Sequence, residues 1–171
     1  ELGHRHFGES RVQELVAKAD RLPNDIVWHF VGKLQSNKVK QASQICSVIH
    51  SLDSQSQLDQ ISKLSKPIQV LIELNIAEEK EKSGILTKSL DDFHRSVIDC
   101  DQASFRGLMT IGPIVREAEQ IRPYFALLRK LNEQLGGEWL SMGMSDNFDI
   151  AIQEGATHIR VGTSLFGGRS T

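Results

Sequence analysis

Seven short strand-like runs, most of them apolar, alternate with helix-patterned segments along the whole of this chain, and that alternation constrains the fold more than any other feature. The runs cover residues 4–8, 26–31, 46–51, 68–75, 105–111, 139–142 and 158–161. Ile68-Gln69-Val70-Leu71-Ile72-Glu73-Leu74-Asn75 is the most apolar of them. Near-continuous apolar strands belong to parallel sheets covered on both faces. Between them, helical spacing links Val12, Leu15, Val16 and Ala19, then Leu34, Val39 and Ala42 in 33–43, then Leu58, Ile61 and Leu64. It continues through Phe93 and Val97 in 90–98 and Tyr124, Leu127, Leu128 and Leu131 in 117–135, interrupted near Pro123, and ends with 147–153. Ser10 is expected to cap the first helix, with Gln13 three residues on. A repeat of about 20–30 residues per strand and helix is the grain of a (β/α) barrel. An open doubly wound sheet gives the same alternation, although no GxGxxG follows the first strand to favour it. A closed barrel needs eight strands, one more than this chain supplies.

Two strand ends near the C-terminus carry the same turn chemistry. His158-Ile159-Arg160-Val161 runs into Gly162-Thr163-Ser164, and Leu140-Ser141-Met142 runs into Gly143-Met144-Ser145-Asp146. Each has a glycine for a close backbone approach and a hydroxyl or carboxylate expected to cap the next helix: Thr163 or Ser164 in one, Ser145 or Asp146 in the other. Backbone N–H groups opening at adjacent strand ends favour a phosphate. Ordinary βα turns use the same residues without binding anything. The charged loop 78–84 reads as solvated surface, with a flap over a site as the alternative.

Composition excludes several classes. A net charge of -2 supplies no field for nucleic acid or anionic membrane, and no basic stripe interleaves with aromatics. No apolar run approaches the ~20 residues of a membrane span. Cys46 and Cys100 stand far apart without a CxxC, and the six histidines show no ligand spacing. They read as reduced thiols in a cytoplasmic setting with no zinc site. The first residues, Glu1-Leu2-Gly3-His4-Arg5-His6, are polar and unlike a signal peptide.

Five motifs then occur in order: Phe7-Gly8-Glu9-Ser10-Arg11-Val12-Gln13-Glu14, Trp28-His29-Phe30-Val31-Gly32-Lys33-Leu34-Gln35-Ser36-Asn37-Lys38, Gly107-Leu108-Met109-Thr110-Ile111-Gly112, Leu140-Ser141-Met142-Gly143-Met144-Ser145 and Arg160-Val161-Gly162-Thr163-Ser164-Leu165-Phe166-Gly167. Together they resemble the pyridoxal phosphate homeostasis (YggS/PROSC) family, over essentially the whole chain. The resemblance implies an α/β fold, a TIM-type (β/α)8 barrel like that of alanine racemase, here with seven parallel strands and the first one lacking. It implies a single domain over 1–171 that binds pyridoxal 5'-phosphate, a vitamin B6 form. The domain would buffer that cofactor or deliver it to apoenzymes, without established catalysis. Carried over by position, Ser145, Gly162 and Thr163 hold the phosphate, Gly143 and Met144 shape its turn, and Arg160 faces the ring nitrogen. His29 and Asn75 line the ring pocket, with a satisfied core histidine as the other reading of His29. Met109 and Met142 read as core filler.

Two departures qualify the resemblance. Ser10 stands where the family carries Asn, which offers more hydrogen-bond sites. The family's first strand bears a Val-Ser-Lys-type segment whose lysine forms the Schiff base, and nothing like it precedes Glu1. With no initiator Met either, the chain is expected to be N-terminally incomplete, either a fragment or a natural variant with an open barrel. Covalent attachment is then not expected, with Lys33 the nearest replacement. A racemase-like enzyme would need that lysine and a second acid or base, often Tyr, yet the only tyrosine is Tyr124 in an expected helix. A phosphate-ester-binding module that has lost the aldehyde chemistry is the remaining alternative.

Overall fold

The structure, a computed structural model, describes residues 3–167. Its strands are β1 (His6–Glu9), β2 (Val27–Phe30), β3 (Val48–Leu52), β4 (Ile68–Glu73), β5 (Ala103–Met109), β6 (Trp139–Met144) and β7 (His158–Arg160). Its helices are α1 (Val12–Ala19), α2 (Val39–Ser43), α3 (Gln55–Ile61), α4 (Leu90–Ile98), α5 (Arg122–Gln134), α6 (Phe148–Gln153) and α7 (Thr163–Phe166). The strands lie side by side in sequence order, each neighbouring pair parallel. Among the described residues β1 and β7 pair on one side only. The sheet nevertheless curls far enough that β1 and β7 both reach one ring of β2: His6 and His158 lie 5.2 and 5.8 Å from His29 between ring centroids. The result is a barrel closed except for one seam, as the strand count implied.

Alternation along each strand divides the side chains between two cores. Trp28, Phe30, Ile49, Val70, Ile72, Leu74, Leu108, Leu140 and Met142 face outward and join Leu15, Leu58, Ile61, Phe93, Val97, Phe125, Leu128 and Ile150 of the helices in one continuous apolar layer. Burying each large side chain there contributes about 1.5–3 kcal/mol. Inside the barrel the apolar cluster is only Val48, Leu71 and Met109, with Trp139 against it. Met142 is filler of the outer layer and Met109 of the inner one.

Several local expectations change. The N-cap of α1 is Arg11, not Ser10, and no side chain caps it. The backbone of Ser10 is instead held against Gly32, where an added Cβ would sit 2.3 Å from the Ser10 carbonyl oxygen. The helix expected over 33–43 begins late, with a 3-10 turn at Ser36–Lys38 before α2. Residues 33–35 stay out of the helix because Leu34 is buried and its carbonyl accepts a 2.6 Å bond from the Gln57 amide, tying that loop to α3. Pro123 does not break its helix. A 3-10 turn at Ala118–Ile121, closed by a Glu117–Gln120 capping box, precedes α5, and Pro123 sits in the first turn of α5 where its missing N–H is harmless. Arg122 and Arg129 of α5 both reach Glu154, at 2.9 and 3.2 Å, fixing the end of α6.

Candidate functional site

In a barrel of parallel strands the C-terminal strand ends form one mouth. At the end of β6, Gly143 has φ +89, and an added Cβ would lie 2.5 Å from the Ala151 Cβ. Only glycine lets the chain turn so closely onto α6. The Met144 N–H donates to Asn147 Oδ1 at 2.9 Å. Asn147, rather than Ser145 or Asp146, is the N-cap of α6. That leaves the Ser145 hydroxyl free to accept the Ser164 N–H at 3.4 Å, which joins the β6–α6 turn to the β7–α7 turn. Gly162, rather than Thr163 or Ser164, is the N-cap of α7. Its φ of -115 suits any residue, and an added Cβ would meet nothing within 4 Å. Neither backbone strain nor packing requires glycine at 162, whereas a ligand approaching the backbone would. Gly162 and Thr163 are exposed on that rim, as is Met144.

Arg160 lies beneath the joined turns. Its guanidinium donates to Ser141 Oγ and to the Thr110 carbonyl, both at 2.7 Å. Burial lowers its pKa to about 10, opposed by the negative charge of Glu73. Glu73, at the end of β4, is itself buried, and that burial, with Asp53 nearby, raises its carboxyl to about 7 against the pull of Arg160 and Lys33. Asp53 is also raised, mainly by burial, against the pull of the Gly84 backbone N–H and of Lys33. Lys33 is exposed at the rim beside these carboxylates. The mouth therefore pairs one anchored cation with two carboxyl groups that resist ionising.

His29 is buried and satisfied at both ring nitrogens, by His6 at 2.9 Å and His50 at 2.8 Å. This is the core-histidine reading, with the ring set inside the barrel. Asn75, just past the end of β4, is buried. Its amide donates to the Glu79 carbonyl at 2.8 Å and accepts the Glu79 N–H at 3.1 Å, which folds the charged loop. Lys82 of that loop reaches the Gly112 carbonyl at 3.0 Å, so the loop is tied to the end of β5. Ser145, Met144, Gly143, Gly162, Thr163 and Arg160 are thus brought together, with His29 inside the barrel and the Asn75 side chain engaged by the charged loop. Glu73, Asp53, His50, Ser141 and Thr110 were not singled out from the sequence. Glu73 had a signal: it shares strand parity with the inward Leu71, so a carboxylate had to lie in the interior.

A seven-stranded parallel barrel with an arginine-floored, glycine-rimmed mouth is of the alanine racemase barrel class. The alanine racemase N-terminal domain family matches residues 1–170. The chain is 42% identical to the pyridoxal phosphate homeostasis protein of Aquifex aeolicus, over 98% of this chain and 78% of that protein. It is 35% identical to the protein of that name from Schizosaccharomyces pombe, over 99% and 76%. The structure of PipY from Synechococcus elongatus with PLP bound superposes with a TM-score of 0.85 at 36% identity, over 96% of this chain and 82% of that one. Alanine racemase from Corynebacterium glutamicum shares the fold at a TM-score of 0.73 and 12% identity, over 96% and 48%. The chain belongs to the pyridoxal phosphate homeostasis protein family.

Proposed function

We propose that this chain binds pyridoxal 5'-phosphate at the barrel mouth and serves its homeostasis, buffering the cofactor or passing it to apoenzymes. The whole chain acts as one barrel domain. The observation that carries the reading is the pair of turns bridged through Ser145 and Ser164, with Gly162 facing open space, directly above Arg160. Ser145, Gly162 and Thr163 hold the phosphate, with Gly143 and Met144 shaping the turn. Arg160 faces the pyridine nitrogen and His29 backs the ring. The bound cofactor supplies an aldehyde and an electron-withdrawing ring. A guanidinium only donates, so Arg160 leaves the ring nitrogen unprotonated, which suits carriage better than carbanion chemistry. Tyr124, the only tyrosine, is packed in the outer layer of α5, far from the acid-base position a racemase needs. The chain is accordingly not an enzyme in this reading. Cys46 and Cys100 are free, as suits the cytoplasm, and no described helix is long and apolar enough to cross a membrane.

Titration of the 171-residue chain with pyridoxal phosphate, followed by absorbance, tests this. The expected result is reversible binding weakened at least tenfold in the Ser145→Ala, Thr163→Ala double variant, with an unchanged far-UV spectrum. Equal affinity in the double variant rejects the phosphate site. A borohydride-trapped, stoichiometric adduct mapped to one lysine would reject reversible binding and make that lysine an anchor.

A further inference from the structure

One line of hydrogen bonds crosses the barrel interior from the β1 edge to Arg160. His6 Nδ1 meets His29 Nε2 at 2.9 Å, and His29 Nδ1 meets His50 Nε2 at 2.8 Å. His50 Nδ1 meets Ser141 Oγ at 2.9 Å, and Arg160 donates to the same oxygen at 2.7 Å. Four strands, β1, β2, β3 and β6, each contribute one link. Among the described residues no group of three or more His, Cys, Asp or Glu is arranged to hold a metal, so the clustered rings need another account.

Counting protons fixes the direction of the line. Burial lowers the pKa of His50 to about 2 and that of His29 to about 4, and neighbouring rings add to both effects. Each is a neutral ring with one N–H and both nitrogens engaged, so each donates on one side and accepts on the other. Arg160 always donates, so Ser141 Oγ has its own proton left to give. Given to His50 Nδ1, it makes every link consistent: His50 Nε2–H donates to His29 Nδ1, and His29 Nε2–H donates to His6 Nδ1. In the opposite direction Ser141 would accept twice and leave its hydroxyl proton without an acceptor at a fully buried position.

We infer that His6, His29, His50 and Ser141 form a relay of single polarity in which His50 and Ser141 are positioning residues for Arg160. His6 cannot carry a proton on Nδ1 while His29 donates to that atom. Other groups face the relay. His158 of β7 lies 5.8 and 5.7 Å from the His29 and His50 ring centroids, but its Nδ1 is bonded to Thr157. Glu73 of β4 faces Arg160, with Asp53 and Lys33 beyond it. The effect on cofactor affinity rests on the function proposed above; the polarity of the relay does not.

Imidazole 15N NMR on the full chain without ligand reads the polarity directly. The expected result is an Nε2–H tautomer, neutral at pH 5, at both His29 and His50. An Nδ1–H tautomer at either ring overturns the relay. Ser141→Ala is expected to mix the His50 tautomers and weaken pyridoxal phosphate binding about tenfold, as loss of one bond to a charged group does. His158→Gln removes a ring from the same interior while sparing every link, and is expected to retain affinity within about twofold, below the worth of one hydrogen bond. A Ser141→Ala chain with unchanged ring signals and affinity, or a His158→Gln chain that loses as much, overturns the positioning role. If the wild-type chain takes up no pyridoxal phosphate, the proposed function falls, and the ligand-free tautomers alone decide the relay.

Discussion

The two cores of this barrel are built on opposite principles. The layer between strands and helices is continuous and apolar, from Val12 and Leu15 round to Ile150 and Ala151. The interior has three buried apolar side chains and Trp139 at one end, and is otherwise filled by histidines, Ser141, Glu73 and Arg160. Apolar burial is additive and tolerant, whereas buried polar groups need each partner in place. The outer layer therefore carries the stability, and the inner one converts strand register into a fixed arrangement of charge and hydrogen-bond direction. This division predicts that stability and ligand affinity can be damaged separately.

The largest effect is expected outside. Leu128 of α5 is fully buried in the outer layer. Leu128→Ala is expected to lower unfolding free energy by about 2–5 kcal/mol in urea titration, while the affinity of the remaining folded molecules for pyridoxal phosphate stays as in wild type. A matching loss of affinity would show that the two cores are not separable. Next comes the inner cation. Arg160→Ala removes two bonds from a charged donor and the positive neighbour of Glu73. Affinity is expected to fall about ten- to hundredfold by fluorescence titration, the worth of charged hydrogen bonds. The Glu73 carboxyl then titrates higher than in wild type, which infrared spectroscopy of the carboxylate bands can read.

The interior should also dominate the pH dependence of stability, with two opposite signs. His29 and His50 have folded pKa values lowered to about 4 and about 2 from 6.5. The folded state binds fewer protons, so stability falls as pH drops below 6.5, by about 1.4 kcal/mol per pH unit for each ring. Glu73 is raised to about 7 from 4.5. Its contribution is fully present below pH 4.5 and is lost as pH rises through 7. Two rings outweigh one carboxyl between these limits, so these groups together place their stability maximum near pH 6.5. In paired urea titrations, His50→Gln is expected to flatten the acid limb, and Glu73→Gln to steepen the rise towards pH 6.5 and remove the loss from there to pH 7. An unaltered acid limb in His50→Gln would mean that the ring is not held neutral.

The outer core was legible in the sequence because it is a matter of period. Apolar parity in residues 68–75 and the stripe of 90–98 depend on neighbours along the chain, and α4 spans Leu90–Ile98 as the stripe implied. The interior was legible only in part. Gly143, Ser145, Arg160, Gly162 and Thr163 stand within two short motifs and could be grouped. His6, His29, His50 and Ser141 come together only through sheet register: His29 pairs with Val48, which puts His50 one step further along the same face. Caps failed for a related reason. Asn147 and Gly162 take the capping positions, and Ser145 is left to accept from Ser164, a contact between turns far apart in sequence. Asn75 closes a loop whose course no local pattern announced.

The smallest stability change should accompany a large functional one, at Gly162. A Cβ there meets no atom within 4 Å, and φ is -115, so alanine fits the folded backbone without strain. Alanine also narrows the unfolded ensemble, which raises stability by about 0.4–1 kcal/mol where the native backbone accepts it. The methyl group would, however, occupy the space between the Gly162 backbone and the phosphate proposed to approach it. Gly162→Ala is therefore expected to melt at or slightly above the wild-type temperature in calorimetry while binding pyridoxal phosphate at least tenfold more weakly. Gly143→Ala is the contrasting case, since its φ of +89 and the 2.5 Å approach to Ala151 make the same substitution strained. That variant is expected to lose stability. Should Gly162→Ala bind as tightly as wild type, the phosphate does not lie against that backbone. The open space at 162 would then belong to the surface rather than to the site.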